Sequence, residues 1–226
     1  MRCSGTGVPR RPTTQVAAQF SRTSDKCQMA ANEESMQACT KILVEHCSLD
    51  AVIHGMLYLV RDVRLGARPN FEVLGAMVCY IDAFPERFHH PKEDAHLFKR
   101  LRQRHPDALP LLDRLETDHR KGAEMIRELE RALLRYQQGG EARFAAFEKA
   151  VREYAEFQWK HMGVEETEVL PLARQYLTQE DWQEIDAAFS GNSDPLLGSK
   201  AAAEYENLFR RILKLAPPPI GVGSET

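Results

Sequence analysis

Apolar residues recur at alternating steps of three and four between residues 39 and 63, the spacing of one buried face of a long helix. The stripe consists of Cys39, Ile42, His46, Leu49, Ile53, Met56, Val60 and Val63. Asn32 precedes it as a good N-cap residue, and Gly66 and Pro69 follow it as helix breakers. We therefore predict a first long helix from about Asn32 to Gly66.

A second helical pattern runs from about residue 71 to residue 104 and contains two prolines, Pro85 and Pro91. A proline inside a helix removes a backbone hydrogen bond and costs about 3 kcal/mol. The second helix should therefore either split or kink at these positions. The two prolines flank His89 and His90, so the distortion is expected where metal ligands would be aimed.

Two further stripes predict a third and a fourth helix. The third consists of Leu112, Leu115, His119, Gly122, Ile126, Leu129 and Leu133. The fourth consists of Phe144, Phe147, Val151, Tyr154, Gln158, His161, Glu165 and Glu168. A capping pattern at Thr178 predicts a short helix ending near Phe189, and residues 201–215 predict a last amphipathic helix. The predicted fold class is all-α: an antiparallel up-down-up-down four-helix bundle with one or two additional short C-terminal helices over residues 32–215, then a tail over 216–226.

The composition of this 226-residue chain excludes some classes of partner and indicates a cellular compartment, but it does not indicate a function. Its net charge of -3 gives no overall positive charge that would attract nucleic acid. The sequence has no apolar run of the roughly 20 residues that a membrane-spanning helix needs. Five cysteines without a CxxC pair predict reduced cysteines in the cytoplasm. Residues 1–31, rich in arginine and serine and nearly free of acids, are predicted to be disordered or an extension segment, the alternative being an organellar transit peptide.

Histidines and glutamates of the four stripes are predicted to meet at one level of the bundle. His89 with Glu93 and His161 with Glu165 are four residues apart, so each pair shares a helix face. In an up-down bundle, residues equally far from a shared turn lie side by side, and one histidine per helix lies about 20 residues, or about 30 Å, from its turn. The predicted metal ligands are His46, His89, Glu93, His119, His161 and Glu165.

Two more histidines leave alternatives open. His54 is the rival of His46 on the first helix, two turns further along, and is otherwise a core histidine or a neighbour of the site. His90 points about 100° away from His89 on a regular helix, yet the kink at Pro91 makes ligation possible. If His90 binds metal, one ion is closed and the other keeps an open position, which favours reversible dioxygen binding.

Imidazole and carboxylate ligands suit iron, manganese, zinc or copper, and six of them are too many for one tetrahedral zinc ion. Four histidines and two glutamates that can bridge suit a pair of metal ions. The predicted cofactor is therefore two iron ions in an oxo- or hydroxo-bridged di-iron centre, with open positions for a small molecule.

A family resemblance rests on four stretches of this sequence: Glu45-His46, residues 89–94 with the following Leu97-Phe98, Leu115-Glu116 before His119, and residues 161–166 with the following Leu170-Pro171. Over residues 38–175 the chain resembles the hemerythrin-like, HHE cation-binding proteins. The resemblance implies an antiparallel four-helix bundle and a non-haem di-iron centre that binds dioxygen, stores or senses iron, or acts in nitric oxide and oxidative stress responses.

One departure from the oxygen carriers of that family bears on function. They have five histidines, including a His-xxx-His on the third helix, whereas Leu115 and Ala123 stand four residues either side of His119. The four-histidine, two-glutamate set looks more like the proteins implicated in repair of iron centres, although their cysteine-containing N-terminal domain has no counterpart here.

The predicted function is a non-haem di-iron binding protein that handles dioxygen, nitric oxide or iron, with these small molecules as partners and neither nucleic acid nor membrane. The main alternative is an enzyme, namely a di-iron oxidase, peroxidase or nitric oxide reductase. A third reading is an iron-sensing bundle whose helix at residues 201–215 docks a partner, although that helix is more simply a cap on the bundle.

Overall fold

The computed structural model describes residues 37–190 of the chain. The predicted extension at residues 1–31, the N-cap at Asn32, the helix at residues 201–215 and the tail at 216–226 lie outside the described residues. The described part consists of helices joined by short turns and contains no strand. The predicted all-α bundle is therefore confirmed for this part of the chain, and the up-down-up-down order of the helices stays a prediction.

Four long helical segments make up the bundle. The first is α1 (Gln37–Arg64). The second is a continuous series of α2 (Phe71–Ala83), a π turn (Pro85–His89), α3 (His90–Lys92), a π turn (Glu93–Phe98) and α4 (Lys99–Arg104). After a 3₁₀ turn (Pro106–Ala108), the third is α5 (Leu109–Gly139). After a 3₁₀ turn (Gly140–Arg143), the fourth is α6 (Phe144–Val164), a π turn (Glu165–Val169) and α7 (Leu170–Tyr176).

The prolines of the second segment widen the helix without ending it. The amide of His89 donates to the carbonyl of Phe84 at 3.3 Å, and the amide of His90 donates to the carbonyl of Pro85, each five residues back. Pro91 has no amide hydrogen, and its ring crowds the carbonyl four residues earlier in a regular α-helix. A wider π turn relieves this crowding, and π turns occur frequently at functional sites.

A buried polar layer separates two apolar clusters of the bundle. The larger cluster is built around α2 and the facing parts of α1, α5 and α6, and includes Tyr80, Ile126 and Phe147. The smaller cluster lies toward the start of α1 and the final helix, and includes Phe98 and Ile185. The buried histidines contact one another or the buried Glu45, Glu93 and Glu165, so these side chains form one polar layer.

The last described helix, α8 (Gln179–Ser190), matches the short helix predicted from the capping pattern. Thr178 and Asp181 bond reciprocally at its start, because the amide of Thr178 donates to the Asp181 carboxylate and the amide of Asp181 donates to the Thr178 hydroxyl. Asp186 accepts from the amide of Ala38 at 2.7 Å, which ties α8 to the beginning of α1. Helix α8 therefore packs at the start of α1 and adds its buried residues to the smaller apolar cluster.

Two sequence predictions need qualification. Helix α1 is long and apolar enough to cross a membrane by length and composition, but 56% of the relevant stretch is buried inside the bundle, as expected of a core helix. The prediction that the cysteines are reduced is confirmed for Cys39 and Cys79 and is wrong for Cys47, which is disulfide-bonded.

Candidate metal centre

Histidines and glutamates from all four long segments meet inside the bundle. The structure brings together His46 from α1, His89, His90 and Glu93 from the second segment, His119 from α5, and His161 and Glu165 from the fourth segment. Each of these seven side chains is at most 6% exposed. Matching distances from the turns had predicted that His46, His89, His119 and His161 would meet, and the structure places all four in this layer.

His46, His89 and Glu93 form the first group of potential ligands, which we call site A. One donor atom from each residue lies within 4.8 Å of the others. The Nε2 atoms of His46 and His89 are 3.3 Å apart, and His89 Nε2 is 3.4 Å from Glu93 Oε1. The two imidazoles and the carboxylate thus face one small volume.

His90, His119 and His161 form a second group, which we call site B, with donor atoms within the same 4.8 Å limit. The rings of His90 and His119 are stacked at 4.3 Å, and the ring of His161 lies across both. His90 therefore points into the bundle, as His89 does. The helix is widened directly before His90 by the π turn that ends at His89.

Glu93 and Glu165 connect the two sites. Glu93 Oε1 faces His89 of site A at 3.4 Å, while its Oε2 faces His119 of site B at 3.6 Å. Glu165 Oε2 faces His46 at 3.3 Å, while its Oε1 is 3.4 Å from His119 and 3.2 Å from His161. Each carboxylate therefore presents one oxygen to each site, which is the arrangement that a bridging ligand needs.

The unsatisfied atoms of the layer fit a pair of metal ions. Among the described residues, both oxygens of Glu93, Glu165 Oε2 and both ring nitrogens of His161 are buried without a hydrogen-bond partner. A buried polar atom without a partner costs free energy, and a buried charge costs more. Two donor atoms bound to one ion at about 2.1 Å and at right angles are about 3 Å apart, close to the 3.3 and 3.4 Å spacings within site A. The residues therefore fit metal ions.

Four carboxylates outside the two sites contact the Nδ1 atoms of histidines that belong to the sites. Glu45 lies 2.6 Å from His89, Asp94 2.8 Å from His119, Glu166 3.2 Å from His46 and Glu86 3.3 Å from His90. A carboxylate on Nδ1 fixes the ring so that Nε2 faces the metal, and it strengthens the imidazole as a ligand. His161 lacks such a partner within the described residues.

The structure places His54 outside the two sites. Its Nδ1 is 3.0 Å from a carboxylate oxygen of Asp50, and its ring lies 4.9 Å from that of Trp159. The contacts of Glu45 and Glu86 with histidine rings were not predicted from the sequence. Glu45 directly precedes His46 and Glu86 is four residues before His90, and these spacings were the only available signals.

Electrostatics in the metal-free layer favour protonated histidines. Burial lowers the pKa of His46, but bonds to Glu165 and Glu166 outweigh burial and raise the pKa to about 9. Burial also lowers the pKa of His119, while Asp94 and Glu165 raise it to about 10. Protons on these rings thus balance the carboxylates when no metal does.

The pKa values of His89, His90 and Glu165 shift in directions that depend on the charges next to each group. Burial opposes the charge of His89, yet Glu93 and Glu45 raise its pKa well above the ordinary value. Burial and the neighbouring histidines lower the pKa of His90 well below the ordinary value. Burial disfavours the Glu165 carboxylate, but the surrounding histidines hold its pKa well below the usual range. These neighbours therefore favour a neutral ring at His90 and a protonated ring at His89.

We expect metal binding to release protons and to strengthen with pH well above the ordinary histidine range. Metal binds neutral imidazole, so it must displace the protons that His46, His89 and His119 hold. Raised pKa values of about 9 and about 10 mean that this displacement continues between pH 6.5 and 9. Affinity for Mn²⁺ should then rise by about tenfold per pH unit for each displaced proton.

Chelator competition at pH 6.5, 7.5 and 8.5 measures this rise, and a pH indicator in weak buffer measures the released protons. The same protons stabilise the metal-free fold below pH 6.5, and that contribution is lost as the pH rises through about 9. An affinity that levels off above pH 7 would contradict the expected linkage.

Comparison with known proteins gives one family. The sequence pattern of the hemerythrin HHE cation binding domain matches residues 66–173. No curated protein and no solved structure matches the chain. The matched range contains all the residues of sites A and B except His46, which the geometry adds from the preceding helix. Over residues 66–173 the chain is therefore similar to a cation-binding domain, and its buried histidines and glutamates lie close enough together to hold metal ions.

Proposed function

We propose, from the premise that residues 66–173 are a hemerythrin HHE cation binding domain, that the bundle holds two iron ions and binds dioxygen or nitric oxide reversibly. Site A would hold one iron through His46, His89 and Glu93. Site B would hold the other through His90, His119 and His161. Glu93 and Glu165 would bridge them, since each faces both sites.

The unequal number of histidines in the two sites is the observation that carries this proposal. Site B has three imidazoles and site A has two, with the same two carboxylates available to each. An ion in site A thus has fewer protein donors and keeps a position that a small molecule can take. The fifth histidine, His90, gives the chain the histidine number of the oxygen carriers rather than that of the repair-type proteins. It comes from the second segment instead of the third.

The residues around site A favour a small, weakly polar ligand. Phe189 of α8 lies 6.4 Å from the ring of His89 and is 1% exposed, so it keeps water away from that side. Glu45 and Glu166 hold the rings of His89 and His46 from behind. Ferrous iron supplies the affinity for dioxygen and nitric oxide, and the protein supplies a dry, shaped cavity for them.

Iron content and an optical spectrum test the proposal. Purified protein loaded with Fe²⁺ without oxygen should contain about two irons per chain, and dioxygen should produce a visible absorption that disappears on its removal. His54→Ala is the matched control for His46→Ala, because both histidines lie on α1 and only His46 faces site A.

The outcomes of this experiment separate the candidate functions. Loss of the absorption change in His46→Ala and its retention in His54→Ala would support reversible binding at site A. Protein that holds no iron would refute the proposal. Continuous consumption of dioxygen by the reduced protein would favour the alternative of a di-iron oxidase over a carrier or sensor.

A further inference from the structure

A second polar cluster lies against His90, on the side away from the proposed metal ions. It consists of Glu86, which contacts His90 Nδ1, together with Tyr154 and Gln158, to which the proposed binding of a small molecule gives no role. We propose that this cluster positions His90 and sets the reduction potential of the iron in site B, with Glu86 as the positioning residue. This inference rests on the proposed iron binding and adds the regulation of its redox chemistry.

Contacts within the cluster form a chain that ends on the His90 ring. The Gln158 amide donates to the Tyr154 hydroxyl at 2.8 Å, and that hydroxyl donates to Glu86 Oε1 at 3.4 Å. The other oxygen, Glu86 Oε2, lies 3.3 Å from His90 Nδ1. Glu86 is thus shared between a phenol on one oxygen and an imidazole on the other.

The residues of this cluster are buried, which strengthens the hydrogen bonds between them. Gln158 is 0% exposed and Tyr154 is 2% exposed, while the Glu86 side chain is 4% exposed. Hydrogen bonds are electrostatically stronger in such a dry environment than in water, and neighbouring bonds in a chain influence each other. A change at Tyr154 should therefore reach His90 through the Glu86 carboxylate.

Gly122 of α5 makes room for this carboxylate. A Cβ atom at this position would lie 3.2 Å from Glu86 Oε1 and 3.3 Å from the Gln158 amide nitrogen. Both distances are tighter than ordinary packing, so any larger side chain would push the cluster away from its place. Three helical segments thus cooperate to hold one carboxylate beside His90.

The chemistry predicts opposite effects from two substitutions. A carboxylate that accepts the Nδ1 hydrogen makes an imidazole a stronger electron donor, which stabilises the oxidised metal and lowers its reduction potential. Glu86→Gln weakens this acceptor and should raise the potential. Tyr154→Phe removes a donor that competes for the carboxylate, so Glu86 should accept more strongly from His90 and the potential should fall.

Redox titration of the iron-loaded protein, followed by its optical spectrum, tests the proposal. We expect Glu86→Gln to raise the potential of one iron by about 59 mV, which is a tenfold change in the ratio of oxidised to reduced metal for one electron. Tyr154→Phe should shift it in the other direction. The matched controls Glu148→Gln and Tyr136→Phe alter a buried glutamate and a buried tyrosine of α6 and α5 outside the cluster, and should leave the potential unchanged.

A second measurement needs no redox chemistry. In zinc-loaded protein, the NMR signal of the His90 Nδ1 hydrogen should move upfield in Glu86→Gln and downfield in Tyr154→Phe. Equal shifts of the same sign in both variants, or shifts matched by the controls, would overturn the inference while iron binding stands. Protein that takes up no iron would overturn both this inference and the proposed function.

Discussion

Replacing Glu93 with alanine should remove both metal ions, whereas replacing His46 should remove one. Glu93 offers one oxygen to each site and is 0% exposed, so its loss takes a donor from both ions and leaves the volume between them empty. His46 belongs to site A and not to site B. We expect affinity in Glu93→Ala to fall by about 100-fold or more at both sites.

Metal content after dialysis against a weak chelator measures the difference between these variants. His46→Ala should retain about one ion per chain, held by the three histidines of site B. Glu148→Gln is the control for removing a buried glutamate, because it lies on α6 and pairs with Arg152 rather than with a histidine. Retention of two ions in Glu93→Ala would show that this carboxylate does not bridge.

Loading the metal-free protein with Fe²⁺ should raise its melting temperature by about 8–16 °C. A ligand present at 1,000 times its Kd stabilises the native state by about 4 kcal/mol, and each kcal/mol raises the melting temperature of a chain this size by about 2–4 °C. The gain is expected to be large because metal gives partners to the buried oxygens of Glu93 and the ring of His161.

Circular dichroism at 222 nm, recorded without oxygen, follows this transition. In Glu93→Ala the metal-dependent rise should vanish, and the metal-free variant should be less stable than the metal-free wild type, because the protonated ring of His89 loses a neighbouring carboxylate and a cavity is left. Unchanged stability of metal-free Glu93→Ala would mean that this carboxylate does not balance a protonated histidine when metal is absent.

Much of the fold and of the polar layer follows from regular helical geometry. The stripes predicted the four long segments because apolar residues on one helix face recur every 3.6 residues. Equal distances from the turns predicted that His46, His89, His119 and His161 would meet, because every α-helix rises by the same amount per residue. His46 lies 3.3 Å from His89, and His119 lies beside His161, as that reasoning requires.

The position of His90 could not be predicted from the same geometry. An angular step of about 100° per residue, which holds in an α-helix, turns His90 away from His89. The structure has a π turn at Pro85–His89, and both rings point inward. Pro85 and Pro91 predicted a distortion at this place. A residue without an amide hydrogen is compatible with a kink, a break or a π turn, so the sequence did not predict which of them occurs.

The carboxylates that contact histidine Nδ1 atoms could not be predicted from the sequence for a different reason. A glutamate beside a histidine on a helix is usually a solvent-exposed charge, so the sequence alone does not indicate what Glu45 contacts. In the structure Glu45 is 3% exposed and contacts His89 on another helix. Its role depends on which ring nitrogen faces the metal and which faces outward, and only the packing of the segments determines that.

The π turns make the chain unusually tolerant of a change in its own length at these points. A bond that spans five residues encloses one residue more than an α-helical bond, so each π turn accommodates a single extra residue. Removing Phe88 would let the π turn at Pro85–His89 close into a regular helix, and Phe88 is 50% exposed, so little packing would be lost. His89 and Glu93 both follow Phe88, so their spacing along the helix would not change. A one-residue deletion at this turn should therefore spare both the bundle and the His89–Glu93 pair.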